Sequence, residues 1–446
     1  MAFQAALGTR LVRGRRAPQE LAALCAPARA PALRCATHRA CRSHTRGKGH
    51  TRVNVRMALK SGAGQSVKED TNDAVREAVA QASASVANPA IAFVSCTVAR
   101  PADEVRAAFA AALPPNTPIH GLTSSGALLS SFGSAPNAVG CLLLDASDAP
   151  GAFAAISDMG GDAGAAAKKL KQAMPQPAVI VMSATPGAEE ACIAALTDVF
   201  GPNVPIFGGT AADNALTGEW QVFSAEGASG TGVSFVGIGS QVAFGASMLG
   251  PYEATSRVGV ATKTEGRRVF DINGKPASEW VYEWLGDAVK DAYENGGLIL
   301  PVTSTRPVGI KQSSGEYVTM HLAALGGRAS YADFFAPVPQ GAELVIMDSG
   351  EGPSTGYAKT LSDAYDAARS QLGASKNPSA ALLVYCGGMA IAVGDKLDTG
   401  LTSPAFKDRV AGLPLLGMTC FGEQARLPLA QSNVQRNLSV GLLLLA

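Results

Sequence analysis

Acid is almost missing from the start of this 446-residue sequence: residues 1–60 hold 13 Lys+Arg, 11 of them Arg, against the single acid Glu20. The remainder carries 24 basic and 35 acidic residues, so a net charge of −11 is masked by the near-neutral total of +1. Long apolar runs are also lacking. The longest, such as Ala138–Leu144 and Val440–Ala446, are of strand length, and no membrane span is expected. Histidine is scarce, with only His120 and His321 beyond residue 57, so multi-histidine metal chemistry is not expected. Cysteine occurs without any C-x-x-C: Cys25, Cys35 and Cys41 lie in the basic arm, and Cys96, Cys141, Cys192, Cys386 and Cys420 remain. An odd, unclustered set reads as reduced thiols, against a disulfide framework or a cysteine-built zinc or iron–sulfur site. No G-x-S-x-G elbow, Walker A loop, H-E-x-x-H or dinucleotide fingerprint stands in strand-to-helix context; Gly230–Thr231–Gly232 lacks that context.

What is present in the arm is Arg- and Ala-rich and acid-poor, the composition of an organelle transit peptide. Residues 1–57 are therefore set aside, with processing expected at Val55–Arg56–Met57–Ala58. Chloroplast is the first destination to consider and mitochondrion the second. Nucleic-acid binding is not expected, because the arm has almost no aromatics to stack on bases and no recognition-helix pattern.

The body combines 47% hydrophobic residues over the whole chain with only 16% charged, enough apolar matter for well-buried cores. After a polar, helical lead-in at 58–87, with Val75, Val79 and Val86 at helical spacing, short apolar runs alternate with amphipathic segments. That alternation predicts a mixed α/β fold. Strand, helix and strand are expected at Ala90–Thr97, Ala102–Leu113 and Pro118–Thr123. The order recurs at Ala178–Ser183, Ala188–Phe200 and Pro205–Thr210, and again at Ala380–Cys386, Ser403–Val410 and Pro414–Thr419. A hairpin is expected from Val139–Asp145 and Phe153–Ser157, with edge strands at Trp220–Ser224, Gly232–Gly237 and Val242–Met248. Trp280 and Trp284, four apart on a helix, read as core. A module boundary is expected near 255–275, dividing the body into 88–265 and 266–446, with a Gly/Ser-rich patch at Ser349–Gly356.

The three units share one ending: Pro118–Ile119–His120–Gly121–Leu122–Thr123, Pro205–Ile206–Phe207–Gly208–Gly209–Thr210 and Pro414–Leu415–Leu416–Gly417–Met418–Thr419. Small or acidic residues follow each: Ser124–Ser125–Gly126, Ala211–Ala212–Asp213 and Cys420–Phe421–Gly422–Glu423. Proline opens a strand where its missing N–H is harmless, and glycine admits a close neighbour. Hydroxyls and carboxylates then gather at the strands' carboxyl ends, where open α/β sheets hold ligands. The candidate binding set is Gly121, Thr123, Ser124, Gly208, Gly209, Thr210, Asp213, Gly417, Thr419, Cys420, Gly422 and Glu423; the competing reading is plain turn chemistry.

These segments resemble the FIST family, named for F-box and intracellular signal-transduction proteins. The resemblance rests on Gly121–Gly126, on Pro205–Asp213, on Gly250–Pro251 and Thr262, on Val269–Ala277 with its Asn273–Gly274–Lys275–Pro276–Ala277, on Pro337–Leu344 before Met347–Asp348, and on Gly417–Glu423. A further family segment is only partly kept at Asn433–Val440. The resemblance implies N- and C-terminal sensory modules that bind small molecules such as amino acids, and in some bacterial members a haem-based gas sensor. No F-box precedes the modules and no kinase, cyclase or receiver is attached, so a signal is expected to pass to a separate partner. No cofactor is expected, haem being the alternative. A thiol-dependent hydrolase or transferase using Cys420 or Cys386, with His120 or His321 as base, is the enzyme alternative.

Overall fold

The computed structural model describes residues 59–147, 149–350, 356–373 and 375–446. The expected transit peptide, and most of the Ser349–Gly356 patch, lie outside the described residues.

The repeat is longer than its strand–helix–strand signature. Each unit runs strand, helix, strand, helix, strand, short hairpin, strand. In the first unit these are Lys60–Ser66, Thr71–Ser83, Ile91–Thr97, Ala102–Ala112, Ile119–Ser124, a hairpin of Ala127–Ser130 with Gly133–Pro136, and Val139–Asp145. The second runs Phe153–Asp158, Ala163–Ala173, Val179–Ala184, Glu189–Phe200, Ile206–Thr210, a hairpin of Val222–Ser224 with Gly227–Ser229, and Val233–Ile238. The third opens with Phe244–Leu249 and resumes at Ala358–Gln371, Ala380–Cys386, short helical turns, Leu415–Cys420, a hairpin of Glu423–Arg426 with Asn433–Arg436, and Val440–Leu445. In all three sheets the first strand pairs the last, the last pairs the second, and the second pairs the third in parallel.

The polar lead-in is therefore the first strand and helix of unit one. Lys60–Ser66 escaped a hydrophobicity reading because it has no large apolar residue; its glycines let it lie directly on a helix. A Cβ on Gly62 or Gly64 would strike the carbonyl oxygens of Ala82 and Ala78, and one on Gly245 would strike that of Ala368 in unit three. The expected hairpin of Val139–Asp145 with Phe153–Ser157 is corrected: these strands end one unit and begin the next, pairing in different sheets. Val233–Ile238 is likewise internal, between Phe153–Asp158 and Val179–Ala184, rather than an edge.

The hairpins are exchanged around the three units. That of unit one extends unit three's sheet at Leu415–Cys420, that of unit two extends unit one's at Ile119–Ser124, and that of unit three extends unit two's at Ile206–Thr210. Each repeat glycine lies where the foreign hairpin arrives. Gly121 pairs Phe223 and a Cβ there would run into its ring; Gly208 pairs Gln424; Gly417 pairs Leu129, with only 2.7 Å between a Cβ there and the Leu129 Cβ.

Between the first strand and first helix of unit three, residues 252–349 form an inserted antiparallel sheet packed on Ala277–Leu285. The Ala277–Leu285 helix stops at Gly286, whose φ of 57° ends it. Trp280 is core, and Trp284 beside it is half-buried. The expected boundary at 265/266 falls in the turn joining Tyr252–Glu265 to Arg268–Ile272, one hairpin of this insertion, and residues 57–446 form one compact unit.

Gly121→Ala should cost about 1–3 kcal/mol by overpacking against the buried Phe223 ring. The urea midpoint should fall, and Phe223→Leu in the same chain should restore part of it. An unchanged midpoint in Gly121→Ala would mean that the exchanged hairpin does not press on this glycine.

Candidate functional site

The three threonine turns meet. Ser125 N donates to the Thr419 carbonyl at 3.0 Å, Ala212 N to that of Thr123 at 2.9 Å, and Phe421 N to that of Thr210 at 3.2 Å. Every donor lies two residues past its own threonine, so the units lock into a cyclic set. The side chains complete it. Thr123 Oγ1 accepts from Gln221 N, Ser124 Oγ accepts from Thr419 N and donates to the Ala127 carbonyl, and the Gly422 carbonyl accepts from Thr210 N. Gly209 leaves room for the Cys420 side chain, and Gly422 for the amide of Gln435.

Asp213 is fully buried, and its carboxylate accepts from the backbone N–H groups of Ala215, Leu216, Thr217, Gly218 and Glu219 at 2.6–3.1 Å. This carboxylate builds a turn, and both its oxygens are engaged. Among the three sheets the remaining cavity is about 20 Å³, lined by Phe93, His120, Phe207, Gly208, Val384 and Met418 among others. That volume suits about one water.

Neither histidine faces a thiol. His120 bonds Ser234 Oγ through Nδ1 at 2.8 Å and Ser183 Oγ through Nε2 at 3.0 Å, and burial lowers its pKa to about 3. His321 Nε2 bonds the Leu300 carbonyl at 3.2 Å, and burial holds it at about 4. Cys386 and Cys420 are buried, and burial, then the nearby Glu423, push both thiols well above their usual range. An activated thiolate needs the opposite surroundings. The residues present also do not fit a haem: both His120 nitrogens and His321 Nε2 are engaged, and the cavity beside His120 is far smaller than a porphyrin. Among the described residues no cluster of three or more His, Cys, Asp or Glu could hold a metal ion.

Space of ligand size lies elsewhere. A cleft of about 510 Å³ runs between the Glu189–Phe200 helix, the Asn433–Arg436 strand of the third exchanged hairpin, and the insertion at Val308–Lys311, Tyr317–Met320 and Ala336–Pro339. The hairpin is tied to the insertion by Asn437 N donating to the Thr319 carbonyl and Ala430 N to Glu316 Oε2. Apolar walls come from Ile193, Ile310, Val318, Met320 and Val434; polar groups are Glu190, Thr197, Asp198, Gln312, Asn433 and Gln435.

A hydrogen-bonded chain connects the cleft to the threonine turns. Gln424 Nε2 donates to Gln435 Oε1 at 2.6 Å and to Thr210 Oγ1 at 2.8 Å; Thr210 donates to Glu189 Oε1 at 3.2 Å. Arg267 then bridges Glu189 at 2.9 Å and Glu190 at 3.0 Å, returning to the cleft. Of the sequence candidates, Thr210 stands in this chain, and Gly208, Gly422 and Glu423 adjoin it through Gln424 and Gln435. Glu190, Asp198 and Gln435 were missed. Positions 190, 194, 197 and 198 share one helix face, a pattern the sequence does carry, but nothing local says that a distant hairpin will cover it.

Five of the buried side-chain atoms without a partner sit on this hairpin and the residue after it: Glu423 Oε1, Gln424 Oε1, Gln435 Nε2, Arg436 Nε and Asn437 Nδ2. Burial raises the Glu423 carboxyl from 4.5 to about 8. An acid raised on folding stabilises the fold fully below about 4.5 and loses that contribution as pH climbs through about 8. Glu423→Gln should therefore flatten the fall of unfolding midpoint between pH 4.5 and 8. An unchanged slope would mean that Glu423 is not held protonated.

The chain matches the FIST N domain over residues 89–275 and the FIST C domain over residues 277–426. The first match covers unit one from its second strand, all of unit two, the first strand of unit three and the start of the insertion, and the second covers most of the insertion and unit three as far as Arg426. An uncharacterized protein of Methanocaldococcus jannaschii is 28% identical over 162 residues, covering 34% of this chain and 31% of that protein. The chain thus spans about a third of that relative's length. FIST domains are associated with signal transduction and small-ligand sensing. Since the two matches together run from 89 to 426, the chain belongs to the FIST family, a FIST N domain followed by a FIST C domain.

Proposed function

We propose that this protein is a sensory module that takes a small metabolite, an amino acid or a related compound, into the cleft between the Glu189–Phe200 helix, the third exchanged hairpin and the insertion. One observation carries the reading: the cleft has about 510 Å³, apolar walls and a few polar groups, the make-up of a small-molecule site. Family membership supports it, because sensing is the coarser property of these domains. The cleft draws its walls from three elements far apart in sequence, so a ligand that binds there favours one arrangement of all three. A separate partner would read that arrangement, as ligand-linked equilibria allow.

No observation favours the thiol-enzyme reading, since Cys386 and Cys420 are buried and neither imidazole is paired with them. Among the described residues no helix is long and apolar enough to cross a membrane. The basic arm supports import into an organelle, a chloroplast first, with the mature protein beginning near Met57–Ala58.

A ligand at a hundred times its dissociation constant should stabilise the fold by about 2.7 kcal/mol, visible in a thermal-shift screen of amino acids and related metabolites. Ala194→Trp, which fills the cleft from an exposed helix position, should abolish the shift and leave the unliganded midpoint nearly unchanged. A shift that survives this substitution would place the ligand elsewhere. Amino-terminal sequencing of the organellar protein should find the mature start near residue 58; a start upstream of about residue 40 would contradict the processing site.

A further inference from the structure

We infer that the ligand of this cleft is an organic cation, an amine with an apolar body and no free carboxylate; the inference rests on the cleft reading above. Among the described residues, the ionisable side chains lining the cleft are Glu190 and Asp198, both acidic, with no lysine or arginine. Eight residues apart on one helix, they stand about 12 Å apart along its axis at 1.5 Å per residue. Asp198 is exposed, and its carboxylate has no hydrogen-bond or ion-pair partner among the described residues. Glu190 shares the single guanidinium of Arg267 with Glu189, so two carboxylates face one positive charge. Burial, then Glu189, push the Glu190 carboxyl up, the response of an acid short of positive charge.

The basic groups on the surrounding elements are engaged away from the cleft. Lys311 pairs Glu343 at 3.0 Å, Arg426 donates to Gln431 and to the Pro202 carbonyl, and Arg436 donates to the Met248 carbonyl. A ligand carboxylate would enter a site of like charge without a cation to receive it. A ligand ammonium would supply the missing positive charge, and its hydrocarbon would lie on Ile193, Ile310, Val318 and Met320. An amino alcohol carries the ammonium and the apolar body without a carboxylate; a zwitterionic amino acid adds the carboxylate that the site disfavours.

Calorimetric titration of the full chain at pH 7 with L-phenylalaninol, L-phenylalanine and 3-phenylpropionate separates the cases, because the three share one apolar body. Phenylalaninol should bind about tenfold more tightly than phenylalanine, with phenylpropionate weakest, and Asp198→Asn should weaken phenylalaninol about fivefold. Phenylalanine or phenylpropionate binding as tightly as phenylalaninol would overturn the charge inference and leave the cleft standing. Silence from all three compounds, or phenylalaninol binding undiminished in Ala194→Trp, would remove the cleft reading and this inference with it.

Discussion

Three backbone hydrogen bonds, Ser125 to Thr419, Ala212 to Thr123 and Phe421 to Thr210, hold the rest of the structure in place. They close a cycle in which each unit donates to a different one, so none can be displaced without opening two junctions. The exchanged hairpins add the same constraint on a larger scale, each extending a sheet that is not its own. The repeat glycines follow from this arrangement. They are required by a foreign strand that presses on them, and the cavity found among the three sheets is only about 20 Å³.

The cleft is a by-product of the same exchange at one of its three places. The third hairpin, crossing to unit two, also meets the insertion at residues 252–349. Its Asn433–Arg436 strand therefore has the Glu189–Phe200 helix on one side and the Val308–Met320 region on the other, with Gln435 carried to the cleft floor. Thr210 sits behind that floor, hydrogen-bonded to Gln424 and Glu189. The binding machinery proposed here thus grows out of a structural turn: the polar groups that join the units are continuous with those that line the cleft.

Much of the fold was legible because strands such as Ile91–Thr97 and Ala380–Cys386 are buried throughout and mostly apolar, and because Pro-x-x-Gly-x-Thr recurs at the third strand of each unit. Lys60–Ser66 was not legible, as its packing comes from glycine backbone against a helix, which leaves no hydrophobic trace. The pairing partners of Val139–Asp145 and Phe153–Asp158 were misread because adjacency in sequence was taken for adjacency in the sheet. Asp213 looked like a ligand group since a buried acid in a turn has the same letters whether it holds a ligand or five N–H groups. Glu190, Asp198 and Gln435 come together only through the exchange, a long-range event with no local signal.

The account is tested most directly by native mass spectrometry of the protein isolated from its own cells, run beside Ala194→Trp prepared identically. It predicts a retained small mass on the natural chain that is absent from the variant. The same mass retained by both would contradict it, because the ligand would then sit outside the cleft.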